Sequence, residues 1–291
     1  MHETCFETAA NNYVKNLALE DGKNIPIKTR QLKQELIPYF KDMSLSQIKR
    51  VEVEAFKRHL REKGLSPATI NRYLAVLSHV FHKAVEWEWI QKLPCKIVRY
   101  REEHTRLFYL SQEDVKNLLL AAEADTSDII EPFIRIALGT AMRRMEILSL
   151  EVANIHCRER EIYIPKAKTG ARTQPMTSSL ANYLESYIQR SIAPHQKYLF
   201  PSEKSEKGFR QEIEKPFRRV VLAAGLDPKQ VCRHTLRHTA ITHLVQLGVD
   251  LPTVQRFSGH RSLHMIFRYS HQSKEHIHWA LDQLDARITT P

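Results

Sequence analysis

The sequence predicts a mainly α-helical protein of two domains, with one small antiparallel β-sheet in the second domain. Three observations support this prediction. Apolar residues recur at helical spacing through most of the 291 residues, as they do in amphipathic helices. Residues 161–165 alternate between apolar and polar side chains ahead of Thr169-Gly170, which is typical of a β-hairpin. Pro94 and a basic, non-periodic stretch after it separate two helical regions.

The first half contains four predicted helices. Thr4 and Glu7 have capping-box spacing at the start of the first helix, and Gly64 is a natural end for the third. The fourth has the strongest signal, because Ser66 offers an N-cap, Pro67 occupies the first helical position and one apolar stripe follows. The sequence therefore predicts helices over residues 6–17, 31–40, 51–63 and 67–85.

The second half begins with Ser111 and Asp114 in a capping-box-like spacing. We predict a helical N-terminal domain over residues 1–95, a linker over 96–110 and a second domain over 111–291. Apart from the hairpin, this second domain is predicted to be helical. Its helices are expected from residue 111, over 129–138, through Leu150, and over 179–190, 210–224, 235–247, 252–257 and 274–286.

The chain is basic in both halves. It has 44 Lys and Arg residues against 33 Asp and Glu residues, a formal net charge of +11. Residues 1–105 hold 18 basic and 13 acidic residues, and residues 106–291 hold 26 and 20. Two basic domains favour a nucleic-acid duplex held between them, although charge alone does not exclude a basic protein without such a partner.

Several classes of protein are not favoured. No apolar run approaches the roughly 20 residues of a membrane span, and the N-terminus lacks the basic-then-apolar order of a signal peptide. The cysteines Cys5, Cys95, Cys157 and Cys232 show no CxxC spacing, which fits reduced thiols better than disulfides or zinc. We therefore expect a soluble, cytoplasmic protein with no membrane partner.

Residues capable of phosphate chemistry lie in the second half. Arg143 and Glu146 are one helical turn apart, so the carboxylate can orient the guanidinium toward phosphate oxygens. Lys168 is at the predicted hairpin tip, where a mobile ammonium can protonate a leaving oxygen. Each signal is weak alone, because such residues are commonly surface ion pairs or solvated lysines.

A second group lies nearer the C-terminus. His234 and Arg237 project from the same side of a predicted helix. His260 follows a glycine, and Tyr269 comes nine residues after it. His-x-x-Arg is expected about once by chance in a chain of this composition, so the order of all these motifs is what matters.

The ordered set resembles the signature of the tyrosine recombinases, the phage integrase family, which cut and rejoin DNA through a covalent tyrosine. In that family an Arg-x-x-Glu box, a hairpin Lys, a His-x-x-Arg, a Gly-His and a tyrosine occur in this order. The first half, especially residues 65–74, resembles the family's SAM-like core-binding domain, and we expect the two-domain form without an arm-binding domain. The resemblance implies an α+β catalytic domain whose catalytic residues are Arg143, Lys168, His234, Arg237, His260 and Tyr269, supported by Glu146.

Three positions depart from the family's pattern. Ala141 occupies a position where Gly is common, and Ser258 replaces the usual Leu before Gly-His. Gln174 lies in the return strand, where an apolar residue is common. None of these changes removes a catalytic group.

The implied reaction is site-specific recombination. Arg143 and Arg237 can clamp the non-bridging phosphate oxygens without changing protonation state. Tyr269 suits a reversible step, because its phosphate ester is nearly as easy to break as to make. In the family the product is a 3′-phosphotyrosyl link, and we expect integration or excision for a mobile element.

The remaining groups would move protons. His234 is a candidate base or proton relay for the tyrosine, and His260 would hydrogen-bond the phosphate or the phenol. Lys168 would protonate the departing 5′-oxygen. Because protein cations stabilise the charge, we expect no metal, no ATP and no cofactor.

The predicted partner is double-stranded DNA at a specific recombination site. Arg72, Lys83, Arg99 and Arg144 are candidate contacts to its backbone. The C-terminal helix, residues 274–286, has an apolar stripe. In the family such a helix docks on a neighbouring subunit, so we expect a homotetramer on synapsed DNA that exchanges this helix.

Alternatives remain open at this point. A DNA-binding regulator on the same fold would not need the full catalytic set, and a type IB topoisomerase shares much of the site. His260 and His264 have i,i+4 spacing, but acidic or thiolate partners for zinc are missing nearby. His238 and His243 are expected to be packing or solvated residues.

Overall fold

A computed structural model describes residues 5–102, 107–165, 170–269 and 274–289. The chain divides into two compact units, residues 1–105 and 106–291, here called the N-terminal and C-terminal units. Across the described residues both units are helical, with one three-stranded sheet in the C-terminal unit. The predicted fold class is therefore confirmed, and the more detailed domain and linker bounds stay a prediction.

The N-terminal unit is built from helices α1 (Phe6–Leu19), α2 (Ile25–Gln31), α3 (Ile37–Phe40), α4 (Arg50–Glu62) and α5 (Pro67–Glu86). A π-helical segment, Leu32–Leu36, joins α2 to α3. The continuous helical stretch therefore begins at Ile25, earlier than the predicted residue 31. Helix α5 begins as the sequence predicts, because the Ser66 hydroxyl accepts a hydrogen bond from the Thr69 backbone N–H.

Aromatic rings fill the core of this unit. Phe6, Phe40 and Phe56 are fully buried. The ring centroid of Phe40 lies 5.5 Å from that of Phe6 and 5.0 Å from that of Phe56. Tilted pairs of this kind stabilise the fold by about 0.5–1.5 kcal/mol each beyond their burial.

The segment after α5 folds back onto its own unit. Asn71 Nδ2 donates a hydrogen bond to the Tyr100 carbonyl at 2.9 Å, and the Tyr100 N–H donates to Asn71 Oδ1 at 2.8 Å. Lys57 Nζ donates to the Val98 carbonyl at 3.2 Å and lies 4.5 Å from the centroid of the Tyr100 ring. Part of the predicted linker is therefore held against α4 and α5.

The C-terminal unit contains helices α6 (Gln112–Glu123), α7 (Ile130–Thr140), α8 (Arg144–Leu148), α9 (Ser178–Ser191), α10 (Glu214–Ala223), α11 (Arg233–Gln246), α12 (Leu251–Ser258), α13 (His264–Phe267) and α14 (Lys274–Thr289). Each predicted helix corresponds to one of these within a few residues. Helix α13 was not predicted, since a single turn is too short to show periodicity. Among the described residues, no helix is both long and apolar enough to cross a bilayer.

The sheet has three antiparallel strands in the order β1 (Ile155–His156), β2 (Glu161–Ile164) and β3 (Arg172–Pro175). In β2 the side chains alternate between exposed and buried, as the sequence pattern predicts. Ile164 pairs with Arg172 in the register between β2 and β3. The residues nearest the predicted hairpin tip, 166–169, lie outside the described part of the chain.

Helix α7 lies in the core of the C-terminal unit and packs against α11. Phe133 and Ile136 on α7 are buried. The helix ends at Ala141, whose φ of 52° is in the left-handed region. This position is where the family commonly has Gly, the residue that adopts such a φ without steric cost. The left-handed conformation of Ala141 turns the chain after α7, and α8 begins directly after Arg143.

Candidate active site

Arg143 is fixed at the start of α8 by a carboxylate on the same helix. Its extended backbone N–H donates to Glu146 Oε2 at 3.0 Å, and its Nη1 donates to Glu146 Oε1 at 3.0 Å. The predicted pairing of these two residues is therefore present in the structure. One carboxylate both caps the helix and restricts the guanidinium.

Glu146 also binds a second arginine, Arg172 at the start of β3. Arg172 Nη1 and Nη2 donate to the two carboxylate oxygens at 3.2 and 2.9 Å. Burial favours the neutral acid, but the hydrogen bonds from Arg143 and Arg172 outweigh it and hold the pKa of Glu146 below its ordinary value. Arg172 was not among the predicted site residues, although its position directly after the hairpin was a usable signal.

Arg237 lies on α11 and is almost fully buried, at 6% exposure. Its Nη1 donates to the Ala141 carbonyl and its Nη2 donates to the Ser258 carbonyl at 2.7 Å. Burial, and then the charge of Arg143, lowers the pKa of Arg237 to about 10. The guanidinium therefore remains charged at neutral pH, as an anion-binding group must.

The turn after α12 brings the two predicted arginines together. Arg143 Nη2 donates to the Gly259 carbonyl at 3.2 Å, next to the Ser258 carbonyl that Arg237 uses. Gly259 has a φ of 63°, and an added Cβ would lie 2.8 Å from Arg172 Nη1. Backbone conformation and close packing both favour glycine here.

His260 directly follows this glycine. Its Nδ1 lies 2.6 Å from the Ser258 hydroxyl, and its Nε2 lies 3.3 Å from Arg237 Nη2. Burial, and then the positive charges of Arg237 and Arg143, lowers the pKa of His260 to about 4. The imidazole is therefore neutral at pH 7. Ser258, the departure from the family's usual Leu, gives this ring a hydrogen-bond partner.

Tyr269 follows α13 and is 6% exposed. Its ring centroid lies 6.2 Å from that of His260, and its Oη lies 2.7 Å from His238 Nδ1. Burial raises the pKa of the phenol, and the charges of Arg237 and Arg268 only partly oppose this. His238, which we expected to be a packing or solvated residue, thus contacts the predicted nucleophile.

Two predicted catalytic residues stand apart from these contacts. His234 is exposed at the start of α11, where partial desolvation by its neighbours, and then the charge of Arg237, lowers its pKa. Lys168 lies outside the described residues, so its position stays a prediction. The strand that follows it is anchored to Glu146 through Arg172.

Of the four predicted DNA contacts, two form ion pairs within the chain and two are exposed. Lys83 Nζ pairs with Glu20 at 2.7 Å and Glu86 at 2.6 Å. Arg144 Nη1 pairs with Glu212 at 2.8 Å and donates to the Gln211 carbonyl at 3.1 Å. The two remaining candidates, Arg72 and Arg99, are exposed. All four stay predictions as DNA contacts.

The site combines positive charge with the predicted nucleophile. Arg143, Arg237, His260 and Tyr269, distant in sequence, meet around the turn after α12. This combination suits an anionic substrate such as a phosphodiester attacked by a phenol. Within the described residues, no group of three His, Cys, Asp or Glu side chains is arranged to hold a metal ion.

Family profiles match both units. The profile described as phage integrase family matches residues 109–276, and the phage integrase SAM-like domain matches residues 6–101. Among curated proteins, the tyrosine recombinase XerD of Oceanobacillus iheyensis is 25% identical over 250 residues, covering 82% of this chain and 84% of that protein. The integrase of Escherichia phage P2 is 28% identical over 225 residues, covering 76% of this chain and 60% of that protein.

Solved structures show the same fold. The integrase of the Tn1549 transposon, in complex with transposon right end DNA, has a TM-score of 0.76 at 19% identity, covering 95% of this chain and 99% of that chain. The XerH site-specific recombinase, bound to its difH substrate, has a TM-score of 0.71 at 24% identity, covering 95% and 84%.

A helical N-terminal unit and a mixed unit with clustered arginines, histidines and a buried tyrosine define a class of DNA strand transferases. Within that class, the chain belongs to the phage integrase family and is a site-specific recombinase of the tyrosine type. The predicted family resemblance is therefore confirmed.

Proposed function

We propose that the protein cleaves and rejoins double-stranded DNA through a covalent bond between Tyr269 and the 3′-phosphate of the cut strand. The strongest support comes from the residues around the Tyr269 phenol. Its ring lies beside His260, whose Nε2 is 3.3 Å from Arg237 Nη2. A scissile phosphate bound to Arg237 would thus meet the phenol oxygen at short range.

In this proposal Arg143 and Arg237 bind the non-bridging oxygens of the scissile phosphate. Each guanidinium has five N–H donors. Arg237 uses two of them on the carbonyls of Ala141 and Ser258, which fixes its plane and leaves other N–H groups for phosphate. Charge that develops in the transition state therefore meets donors already in place.

Proton transfer completes the reaction. His260 would hydrogen-bond the phosphate or the phenol, and Lys168 would give a proton to the departing 5′-oxygen. His234, one turn from Arg237 on α11, would relay protons at the site edge. The phosphotyrosyl ester preserves the free energy of the broken DNA bond, so rejoining needs neither ATP nor a metal ion.

The substrate in this proposal is a specific recombination site on a mobile element. Both units are basic, with formal net charges of +5 over residues 1–105 and +6 over 106–291, so both can neutralise DNA phosphates. The similarity to a transposon integrase and a phage integrase supports a mobile element. The substrate is DNA, and the four cysteines are unpaired, as is usual in a reducing compartment, so the cytoplasm is the proposed location.

We further propose that four protomers assemble on synapsed DNA and exchange α14. Leu281, Leu284 and Ile288 on α14 are exposed at 54%, 53% and 73%, and their spacing places them on one helical face. The C-terminal unit has a groove of about 540 Å³. It is lined largely by apolar side chains, among them Leu119, Leu138, Leu180, Leu244, Leu247 and Phe257. The apolar face of a neighbour's α14 suits this groove.

Trapping the covalent adduct tests the function. The source genome, fragmented and lightly nicked with DNase I, would be incubated with the protein, because a nick beside the cut lets the short product strand diffuse away. Wild-type protein should yield SDS-resistant adducts whose attached DNA, once sequenced, gives the site. Tyr269→Phe should yield none. Adducts with Tyr269→Phe would mean that another residue is the nucleophile, and relaxation of plasmids lacking the site would favour a topoisomerase.

Sedimentation on the identified site tests the assembly. Leu281→Asp with Leu284→Asp, or truncation after Ser273, should abolish tetramers on DNA and leave binding of single protomers. Leu222→Asp on α10, where the side chain is 56% exposed, is the matched control and should leave tetramers intact. Tetramers formed by the truncated chain would contradict the exchange.

A further inference from the structure

His238 contacts the phenol that the proposed function uses. It follows Arg237 on α11, and its Nδ1 lies 2.7 Å from Tyr269 Oη. The two rings are tilted by 40°, with centroids 5.7 Å apart. In the tautomer of His238 whose Nδ1 carries no proton, the Tyr269 hydroxyl donates and Nδ1 accepts.

The two histidines at this end of α11 differ in position. His234 lies one helical turn earlier and is exposed, whereas His238 is partly buried against the phenol oxygen. A general base in hydrogen-bond reach lies about 2.6–3.2 Å, heavy atom to heavy atom, from the group whose proton it accepts. His238 meets this distance in the structure without any rearrangement.

We propose that His238, rather than His234, is the general base that activates Tyr269, an inference that rests on the proposed function. In the cleavage step the Oη–H proton passes to His238 Nδ1 while Oη bonds to the scissile phosphorus. The bond from phosphorus to the 5′-oxygen breaks, and that oxygen takes a proton from Lys168 or water. In rejoining, the imidazolium returns its proton to the phenolate oxygen.

The surroundings of His238 keep it neutral before DNA binds. The charged and titratable groups near it are Arg268 after α13, His234 and Arg237 on α11, and His260 after α12. Burial, and then the charge of Arg268, lowers the pKa of His238 to about 4. A bound phosphate brings negative charge beside the ring and raises this pKa, so basicity increases when substrate is present.

The test is single-turnover adduct formation by the full-length protein on the site identified with wild-type enzyme. His238→Asn keeps an oxygen acceptor near the phenol but cannot take a proton, whereas His238→Ala removes both. We expect both variants to slow cleavage about 10²-fold or more at pH 7, the usual contribution of a general base. His195→Asn, exposed between α9 and α10, is the control and should cleave at the wild-type rate.

A pH profile separates a base from a structural contact. With the base removed, cleavage depends on phenolate, so the rate of His238→Asn should rise about tenfold per pH unit from pH 6 to 9. The wild-type rate should change little over the same range, because a neutral imidazole is available throughout. Thermal unfolding of each variant checks that the C-terminal unit is intact.

A substrate with sulfur in place of the bridging 5′-oxygen separates the base from the acid. The departing thiolate needs no proton, so this substrate should rescue Lys168→Ala and not His238→Asn. Two results would overturn the role of His238, provided that the wild-type protein forms adducts. One is cleavage by His238→Asn at the wild-type rate, and the other is rescue of His238→Asn by the sulfur substrate. Failure of the wild-type protein to form any adduct would instead count against the proposed function itself.

Discussion

The contact between Arg172 and Glu146 gives the sharpest test of how the site is supported. Arg172→Met removes hydrogen bonds of 3.2 and 2.9 Å to a carboxylate whose side chain is 8% exposed. Hydrogen bonds to charged groups contribute about 1.5–3 kcal/mol each. Arg143 still binds Glu146 and Met recovers some packing, so we expect the free energy of unfolding to fall by about 2–4 kcal/mol at pH 7.

The free energy of unfolding lost in Arg172→Met should become smaller as the pH falls. Because the pKa of Glu146 is lowered in the folded chain, its ion pairs stabilise the protein above the ordinary pKa of 4.5. That stabilisation is lost as the pH falls through the lowered value. The difference between wild type and Arg172→Met should therefore narrow as the pH is reduced below about 4.5.

Urea unfolding followed by circular dichroism measures both effects. A double-mutant cycle with Glu146→Gln should give a coupling energy above about 1 kcal/mol, because the two residues are in direct contact. Lys197→Met is the control. Its ion pair with Glu151, at 3.3 Å, joins side chains that are 63% and 34% exposed, so less than about 1 kcal/mol should be lost. A coupling energy near zero would refute the reasoning.

Three further predictions concern other parts of the protein. Gly259→Ala should lower the free energy of unfolding by about 1–3 kcal/mol in urea, because alanine at a φ of 63° is strained and its Cβ meets Arg172. The pKa values of His238 and His260, both near 4 in the folded chain, should make stability fall between about pH 6.5 and 4, by up to about 3 kcal/mol per imidazole in acid titrations. Asn71→Ala should release the segment after α5, seen as faster tryptic cleavage there with the helices intact.

Patterns of burial and capping made most of the fold predictable. Helix α5 begins where Ser66 and Pro67 place it, and β2 follows the alternation of residues 161–164. The π-helical segment Leu32–Leu36 and the one-turn helix α13 were missed, because neither produces the regular spacing on which such predictions depend.

The order of the motifs along the chain was enough to predict some residues of the candidate site. Contacts that depend on tertiary packing were not predictable from it. Arg143, Arg237, His260 and Tyr269 meet as their order along the chain indicated. The contact between His238 and the phenol depends on how α11 packs near α13, which spacing does not reveal. A residue that sequence alone assigns to packing can thus contact the predicted nucleophile.

The turn after α12 holds the guanidinium groups of Arg143 and Arg237, both predicted to be catalytic, through main-chain oxygen atoms, those of Gly259 and Ser258. Every amino acid supplies a carbonyl, so the side chain at position 258 is free to vary between relatives without altering the distance between the two cations. A substitution there can change the partner of the imidazole, as the serine hydroxyl does here, and leave the spacing of the two guanidinium groups to the polypeptide backbone itself.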